Sequence, residues 1–147
     1  MERIRHRNQF DVVLSAMPLV KTQHFALHLA DTAEHQSATG LFPGGGTWLG
    51  VLIPKRWARR AVTRNALRRQ IYAVSREFAS VLPSKAMVVR LRSGFSRQFF
   101  VSATSDALRQ AARAELQQLL GERLSNRLST TGAAAGVGAS TAGDGRA

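Results

Sequence analysis

Residues 55–76 read KRWARRAVTRNALRRQIYAVSR and hold eight of the chain's twenty-one basic residues but no acidic residue. Apolar side chains recur within and just after this stretch at i, i+4, i+7 and i+11, the spacing of one face of an α-helix. Apolar segments of strand length lie on both sides, so we expect the stretch to supply the helix of a strand–helix–strand unit. The apolar face consists of Leu67, Ile71, Val74 and Phe78.

A second stripe of the same predicted helix is polar and basic. Like charges four residues apart, as in Arg60, Arg64 and Arg68, destabilise an isolated helix by about 0.2–0.5 kcal/mol per pair. A solvated basic face usually alternates with Asp or Glu, and this one does not. We therefore expect a polyanionic partner that neutralises the stripe. The stripe consists of Asn65, Arg68, Arg69, Tyr72 and Arg76.

Composition narrows the class of partner. The chain has 147 residues, enough for one domain with a core, and an apolar fraction of 44% excludes a disordered basic tail. A net charge of +12 indicates a nucleic acid or an anionic membrane. No stretch approaches the roughly 18 apolar residues of a membrane span. Nucleic acid is favoured, and with neither a cysteine nor a convincing signal peptide we expect a cytoplasmic protein with no membrane partner.

The rest of the chain is expected to form an α/β fold of the α+β sandwich type. A small central sheet would carry an N-terminal helix on one side and a C-terminal helix ended by Gly121. We expect one domain over residues 1–129 and a disordered Gly/Ala/Ser/Thr tail over 130–147. The predicted elements are a helix over 7–17, strands over 22–29, 47–53 and 86–91, a mobile loop over 31–46, and helices over 61–80 and 104–120.

Catalytic motifs are not evident in the sequence. The glycines at 44–46 precede a strand and lack the spacing of a phosphate-binding loop, and the four histidines show no metal-ligand pattern. The nine acidic residues are too scattered for a two-metal nuclease site. We therefore expect no protein-borne catalytic residue, no protein metal site and no small-molecule substrate.

Residues 50–69, GVLIPKRWARRAVTRNALRR, resemble the signature of the bacterial ribonuclease P protein component. In that family a strand leads into a basic pair, then Ala-Val-x-Arg-Asn-x-x-Lys/Arg-Arg. Similarity extends upstream to the segments 7–10 and 23–27 and downstream through 88–90, so it covers about residues 3–122. The turn before Ala61 is one residue longer than in many members, and His28 stands where an aromatic is frequent. The matching residues are Lys55, Arg56, Ala61, Val62, Arg64, Asn65, Arg68 and Arg69.

The resemblance implies a fold, a function and a set of site residues. The fold would be an α/β sandwich whose βαβ crossover is left-handed, against the general rule. The function would be that of the small subunit of a ribonucleoprotein endonuclease that removes the 5′ leader of precursor tRNA. Its catalytic RNA subunit would hold the Mg²⁺ ions and carry out the hydrolysis. Expected RNA contacts are Lys55, Arg56, Arg64, Asn65, Arg68, Arg69, Tyr72 and Arg76, together with Arg59 or Arg60, between which the longer turn leaves the choice open. The expected leader cleft is lined by Phe10, Phe25 and His28.

Two other functions remain open at this point. A stand-alone RNA chaperone or ribosome-associated RNA-binding protein would share the positive charge but would not need the Arg64-Asn65 pair at this place. An intrinsic nuclease would have to cut RNA when freed of any RNA partner. The identity of the co-purifying RNA distinguishes the first from a ribonuclease P subunit, because the subunit should bring down one large structured RNA.

Overall fold

The computed structural model describes residues 1–32, 40–95 and 106–129. Within these ranges the strand–helix–strand unit predicted around the basic stretch is present, and short strands at residues 2–3 and 20–21 extend the sheet. In chain order the elements are β1 (Glu2–Arg3), α1 (Arg7–Leu14), β2 (Val20–Lys21), β3 (Phe25–Ala30), β4 (Trp48–Leu52), α2 (Ala61–Glu77), β5 (Ala86–Leu91), α3 (Asp106–Gln117) and a π-helical segment (Gln118–Arg123).

The five strands form one mixed sheet in the order β1-β4-β5-β3-β2. β4 and β5 lie side by side and parallel, as two strands joined by a helical crossover must, while β3 pairs antiparallel to β5. The α+β sandwich expected from the sequence is confirmed. The left-handed sense of the crossover stays a prediction.

Side chains of the sheet alternate between two apolar layers. One face packs against α2, α3 and the π-helical segment, with Leu49, Val89 and Ile71 among its buried residues. The other face packs against α1 and the loop before β4 through a smaller cluster that includes Val13 and Val88. The basic helix and α1 therefore lie on opposite sides of the sheet.

Helix α1 ends at Leu14, so the prediction that it continues to residue 17 is wrong. The backbone N–H of Ser15 still donates to the carbonyl of Asp11, but the chain then turns away and leaves Met17 87% exposed. On the buried side, the ring of Phe10 lies over Gly50 of β4. A Cβ added to Gly50 would be 2.8 Å from Cε1 of Phe10, so only glycine allows this approach.

The C-terminal helix does not end at Gly121, contrary to the sequence-based expectation. It passes through the π-helical segment and stays helical over 124–129. Gly121 instead lies against the ring of Phe78, where an added Cβ would be 3.1 Å from Cε1. Close packing, rather than helix termination, explains the glycine.

The loop predicted over 31–46 is anchored at its end. Phe42 is fully buried and its ring lies 5.6 Å from that of Trp48, centroid to centroid, in an edge arrangement. Gly44, Gly45 and Gly46 have positive φ angles of 82°, 61° and 80°, which fold the segment back toward β4. Residues 33–39 of this loop, residues 104–105 of the last predicted helix and the predicted tail over 130–147 lie outside the described residues.

Candidate nucleic-acid interface

Helix α2 presents the two faces predicted from its spacing. Leu67, Ile71 and Val74 are buried against the sheet and α3, whereas Asn65 and Arg69 are exposed. Arg76 is also exposed and Arg68 is half-buried. The basic stripe therefore lies along the solvent side of a helix whose other side is fixed in the core.

The cations of this region have no carboxylate partner within the described ranges. Among the residues that the structure describes, none of the eight basic side chains between Lys55 and Arg76 forms an ion pair with a carboxylate. Arg68 donates from Nη1 to Oδ1 of Asn65 at 3.2 Å, which orients a neutral group and leaves the charge uncompensated. Such a face attracts an external polyanion.

Arg64 differs from the other predicted RNA contacts because its guanidinium is used within the protein. Nη1 donates to the backbone carbonyls of Ala58 at 3.0 Å and Arg59 at 2.7 Å, and the side chain is half-buried. These bonds hold the turn between β4 and α2. The side chains of Arg59 and Arg60 in and after that turn remain exposed.

Tyr72, which the sequence predicts as an RNA contact, is largely buried. Only 9% of the residue is exposed, and the guanidinium of Arg3 lies 4.0 Å from the ring centroid. Burial raises the pKa of its hydroxyl, partly opposed by the charge of Arg3. Arg3 therefore covers one face of the Tyr72 ring in a cation–π contact.

Arg3 is a site residue that sequence reasoning missed. It lines a shallow pocket together with Asn65, Arg68, Arg69 and Arg76, so β1 extends the basic face of α2 sideways. No local spacing links residue 3 to residue 72. The only sequence signal is the basic character of the N-terminal segment, which contains Arg3, Arg5 and Arg7.

On the opposite face of the sheet, Phe10 of α1 and His28 of β3 belong to the layer between α1 and the sheet. Phe10 is half-buried over Gly50, and His28 is on the same face of β3. Nδ1 of His28 lies 2.8 Å from the carbonyl oxygen of Ala16, which can only accept, so Nδ1 carries the proton. Nε2 then accepts a hydrogen bond from Nε of Arg90 at 3.3 Å.

The imidazole of His28 is held in its neutral form. Burial is the main cause that lowers its pKa from 6.5; the hydrogen bond to Ala16 opposes that shift and the charge of Arg90 adds to it. Arg90 itself was not predicted as a site residue, because an arginine inside a buried strand sequence gave no sign of the face to which it points.

Phe25 does not line this cleft, which corrects the sequence-based assignment. It is fully buried on the other face of the sheet, in the core with α2 and α3, and its ring centroid lies 6.1 Å from that of Phe95. Residues three apart on a strand point to opposite faces, so Phe25 and His28 cannot line one cleft.

Over the described ranges, no group of three or more His, Cys, Asp or Glu side chains is arranged to hold a metal ion. None of the helices in the same ranges is both long and apolar enough to cross a membrane.

The family model described as Ribonuclease P matches residues 1–121. The chain belongs to the ribonuclease P family. A ribonuclease P protein component from Ralstonia pickettii is 29% identical over 117 residues, which is 80% of this chain and 75% of that protein. One from Bordetella parapertussis is 44% identical over 68 residues, covering 46% and 51% of the two chains.

Solved structures of ribonuclease P proteins share the fold. The Thermotoga maritima protein has a TM-score of 0.58 at 21% identity, with 83% of this chain and 97% of that chain covered. The Staphylococcus aureus protein has a TM-score of 0.54 at 17% identity, with 89% and 95% covered. Family membership places the chain among the protein subunits of an endoribonuclease that processes tRNA.

Proposed function

We propose that this chain binds two RNAs as the protein subunit of ribonuclease P. The basic face of α2 and the turn before it would bind the catalytic RNA. The cleft between α1 and the sheet would hold the 5′ leader of precursor tRNA. The RNA subunit, which holds most of the Mg²⁺, would hydrolyse the phosphodiester bond and release the mature 5′ end, and the complex would act in the cytoplasm.

The observation that carries the proposal is the uncompensated charge of α2. Arg68, Arg69 and Arg76 point away from the core without a carboxylate partner among the described residues. Bringing a substrate RNA against a catalytic RNA places phosphates of both close together. Cations fixed on a rigid helix lower that repulsion, a task that otherwise requires a high concentration of Mg²⁺.

Reconstitution at low Mg²⁺ tests the proposal directly. We expect the cognate RNA to cleave a precursor tRNA much faster with the protein than without it when Mg²⁺ is limiting, and the two rates to converge as Mg²⁺ rises. Equal rates at limiting Mg²⁺ would contradict the proposal. In a separate binding assay, a general RNA chaperone would bind the cognate RNA no more tightly than ribosomal RNA.

Two arginine variants locate the RNA-binding face. Arg68→Ala should weaken assembly with the catalytic RNA, and each lost phosphate contact should lower the slope of log affinity against log salt by about 0.7–0.9. Arg123→Ala removes an exposed cation from the π-helical segment and serves as the matched control. Equal losses for the two variants would remove α2 from the interface.

A further inference from the structure

Arg90 occupies an unusual place for a charged residue. It lies on β5, the central strand of the sheet, on the face that packs against α1, and it is half-buried. Its neighbours across the sheet are Leu52 on one side and Ala26 on the other. The small side chain of Ala26 leaves room beside the guanidinium.

No carboxylate in the described part of the chain compensates the charge of Arg90. Of the residues given a position by the structure, no carboxylate forms an ion pair with it, and its only hydrogen bond runs from Nε to His28. Removing a guanidinium from water without an anionic partner is costly, so a partly buried arginine without a carboxylate partner, near the end of the central strand, indicates an anion from outside. Both Nη groups are left to donate to it.

His28 determines how the guanidinium is presented. Its ring is fixed by the hydrogen bond from Nδ1 to the carbonyl of Ala16, just beyond the end of α1, and is only 5% exposed. The neutral Nε2 accepts from Nε of Arg90 and so sets the plane of the guanidinium fork. The lowered pKa of His28 agrees with this acceptor role.

Arg90 belongs to a row of residues that lie side by side on neighbouring strands, across the sheet. This row is suited to an extended chain of phosphates. Lys21 of β2 lies opposite Ala26, on the same face, and is exposed. It is two strands away from Arg90, or about 10 Å at the usual strand spacing. On the other side the row continues to Leu52 of β4, which is apolar and half-buried. Lys21 and Arg90 are therefore two cations on one face of the sheet, separated by the small side chain of Ala26.

We propose that Arg90 binds a backbone phosphate of the single-stranded leader on the floor of the cleft, with His28 as a positioning residue that holds the guanidinium in place. This inference rests on the proposed function, since it assigns a contact within the leader cleft. It adds a sequence-independent contact, because a phosphate is present whichever bases the leader carries.

The experiment compares leader-bearing and leaderless substrates in the reconstituted holoenzyme. Arg90→Met should weaken binding of a precursor tRNA with a leader of several nucleotides by about ten-fold or more and leave binding of the tRNA without a leader unchanged. For the leader-dependent part of the binding, it should also lower the slope of log affinity against log salt concentration by about 0.7, the value for one phosphate of a single strand. Arg127→Met, an exposed arginine on the C-terminal helix, is the matched control.

The outcomes separate this inference from the function on which it rests. If the unmodified protein shows no preference for the leader-bearing substrate, the proposed function of the cleft fails. If that preference is present but Arg90→Met retains it, only the inference fails. Equal losses of binding for both substrates would mean that Arg90→Met damages the fold. Arg90→Gln, which also removes the charge but keeps a polar group, is then the deciding variant. If it does not show the leader-specific loss, the inference is overturned.

A double-mutant cycle tests the positioning role of His28. His28→Ala should reduce the preference for the leader while Arg90 is present, but should add little once Arg90 is Met, because the effect of His28 passes through Arg90. Additive losses of leader preference in the double variant would show that His28 acts independently and would remove it as a positioning residue.

Discussion

Arg64 has two uses that the sequence motif does not separate. The Arg64-Asn65 pair predicts an RNA contact, yet the guanidinium of Arg64 donates to the carbonyls of Ala58 and Arg59. Arg69, further along α2, is exposed, and its side chain makes no hydrogen bond to the described part of the protein. Replacing Arg64 is therefore expected to lower the stability of the fold, whereas replacing Arg69 is expected to weaken only RNA binding.

Arg64→Ala should destabilise the free protein by about 1–2 kcal/mol, because two hydrogen bonds from a charged group to the turn are lost. Arg69→Ala should leave the free energy of unfolding within about 0.5 kcal/mol of the unmodified value and weaken only RNA binding. Urea unfolding of the free proteins and titration with the catalytic RNA measure the two effects. A stable Arg64→Ala protein with weakened RNA binding would show that the turn does not depend on this side chain.

At the scale of elements, patterns that repeat over many residues were predictable and single long-range contacts were not. Both faces of α2 followed from its periodicity, and β5 has the predicted bounds. Gly121 matched the rule for helix ends, but packing against Phe78 decided its role. Tyr72 has the spacing of the basic stripe, and no local rule could bring Arg3 onto its ring.

Helix α3 is tied to the sheet by one carboxylate. Glu115 accepts hydrogen bonds from the hydroxyl of Thr22 at 2.5 Å and from the backbone N–H of His24 at 2.6 Å, and it pairs with Nδ1 of His24 at 2.7 Å. The side chains of Glu115 and His24 are 13% and 14% exposed. This contact joins the turn between β2 and β3 to the C-terminal helix.

Glu115→Gln should therefore lower the free energy of unfolding by about 1–3 kcal/mol, since a charged acceptor that serves several donors becomes a neutral group with only one acceptor atom. Glu122→Gln, the same change at an exposed position of the following segment, should have almost no effect. Chemical unfolding of the two variants side by side measures the difference. Similar losses would mean that net charge rather than the Thr22–His24 contact is responsible.

At the scale of the whole molecule, the excess of positive charge opposes folding of the free protein. The chain carries +12, and a large share of its cations is concentrated along α2 and the preceding turn. The charges that would neutralise them belong to RNA under the proposed function. The free subunit and the assembled subunit are then expected to respond to salt in opposite directions.

Raising the ionic strength from about 0.02 M to 0.3 M should increase the melting temperature of the free protein, because screening weakens repulsion among the cations. The same change should weaken assembly with the RNA. Calorimetry of the free protein, with RNA titrations at matched salt, measures both trends. A melting temperature that falls with salt would show that internal ion pairs outweigh this repulsion.

The burial of His28 also makes the fold sensitive to acid. The groups that face its ring are the carbonyl of Ala16 and the guanidinium of Arg90, and burial keeps its pKa below 6.5. As pH falls through 6.5 the unfolded chain takes up a proton at this position that the folded chain resists, so the stability present above that pH is progressively lost. The drop in urea midpoint between about pH 7.5 and 5.5 should be smaller in His28→Gln, which cannot take up that proton.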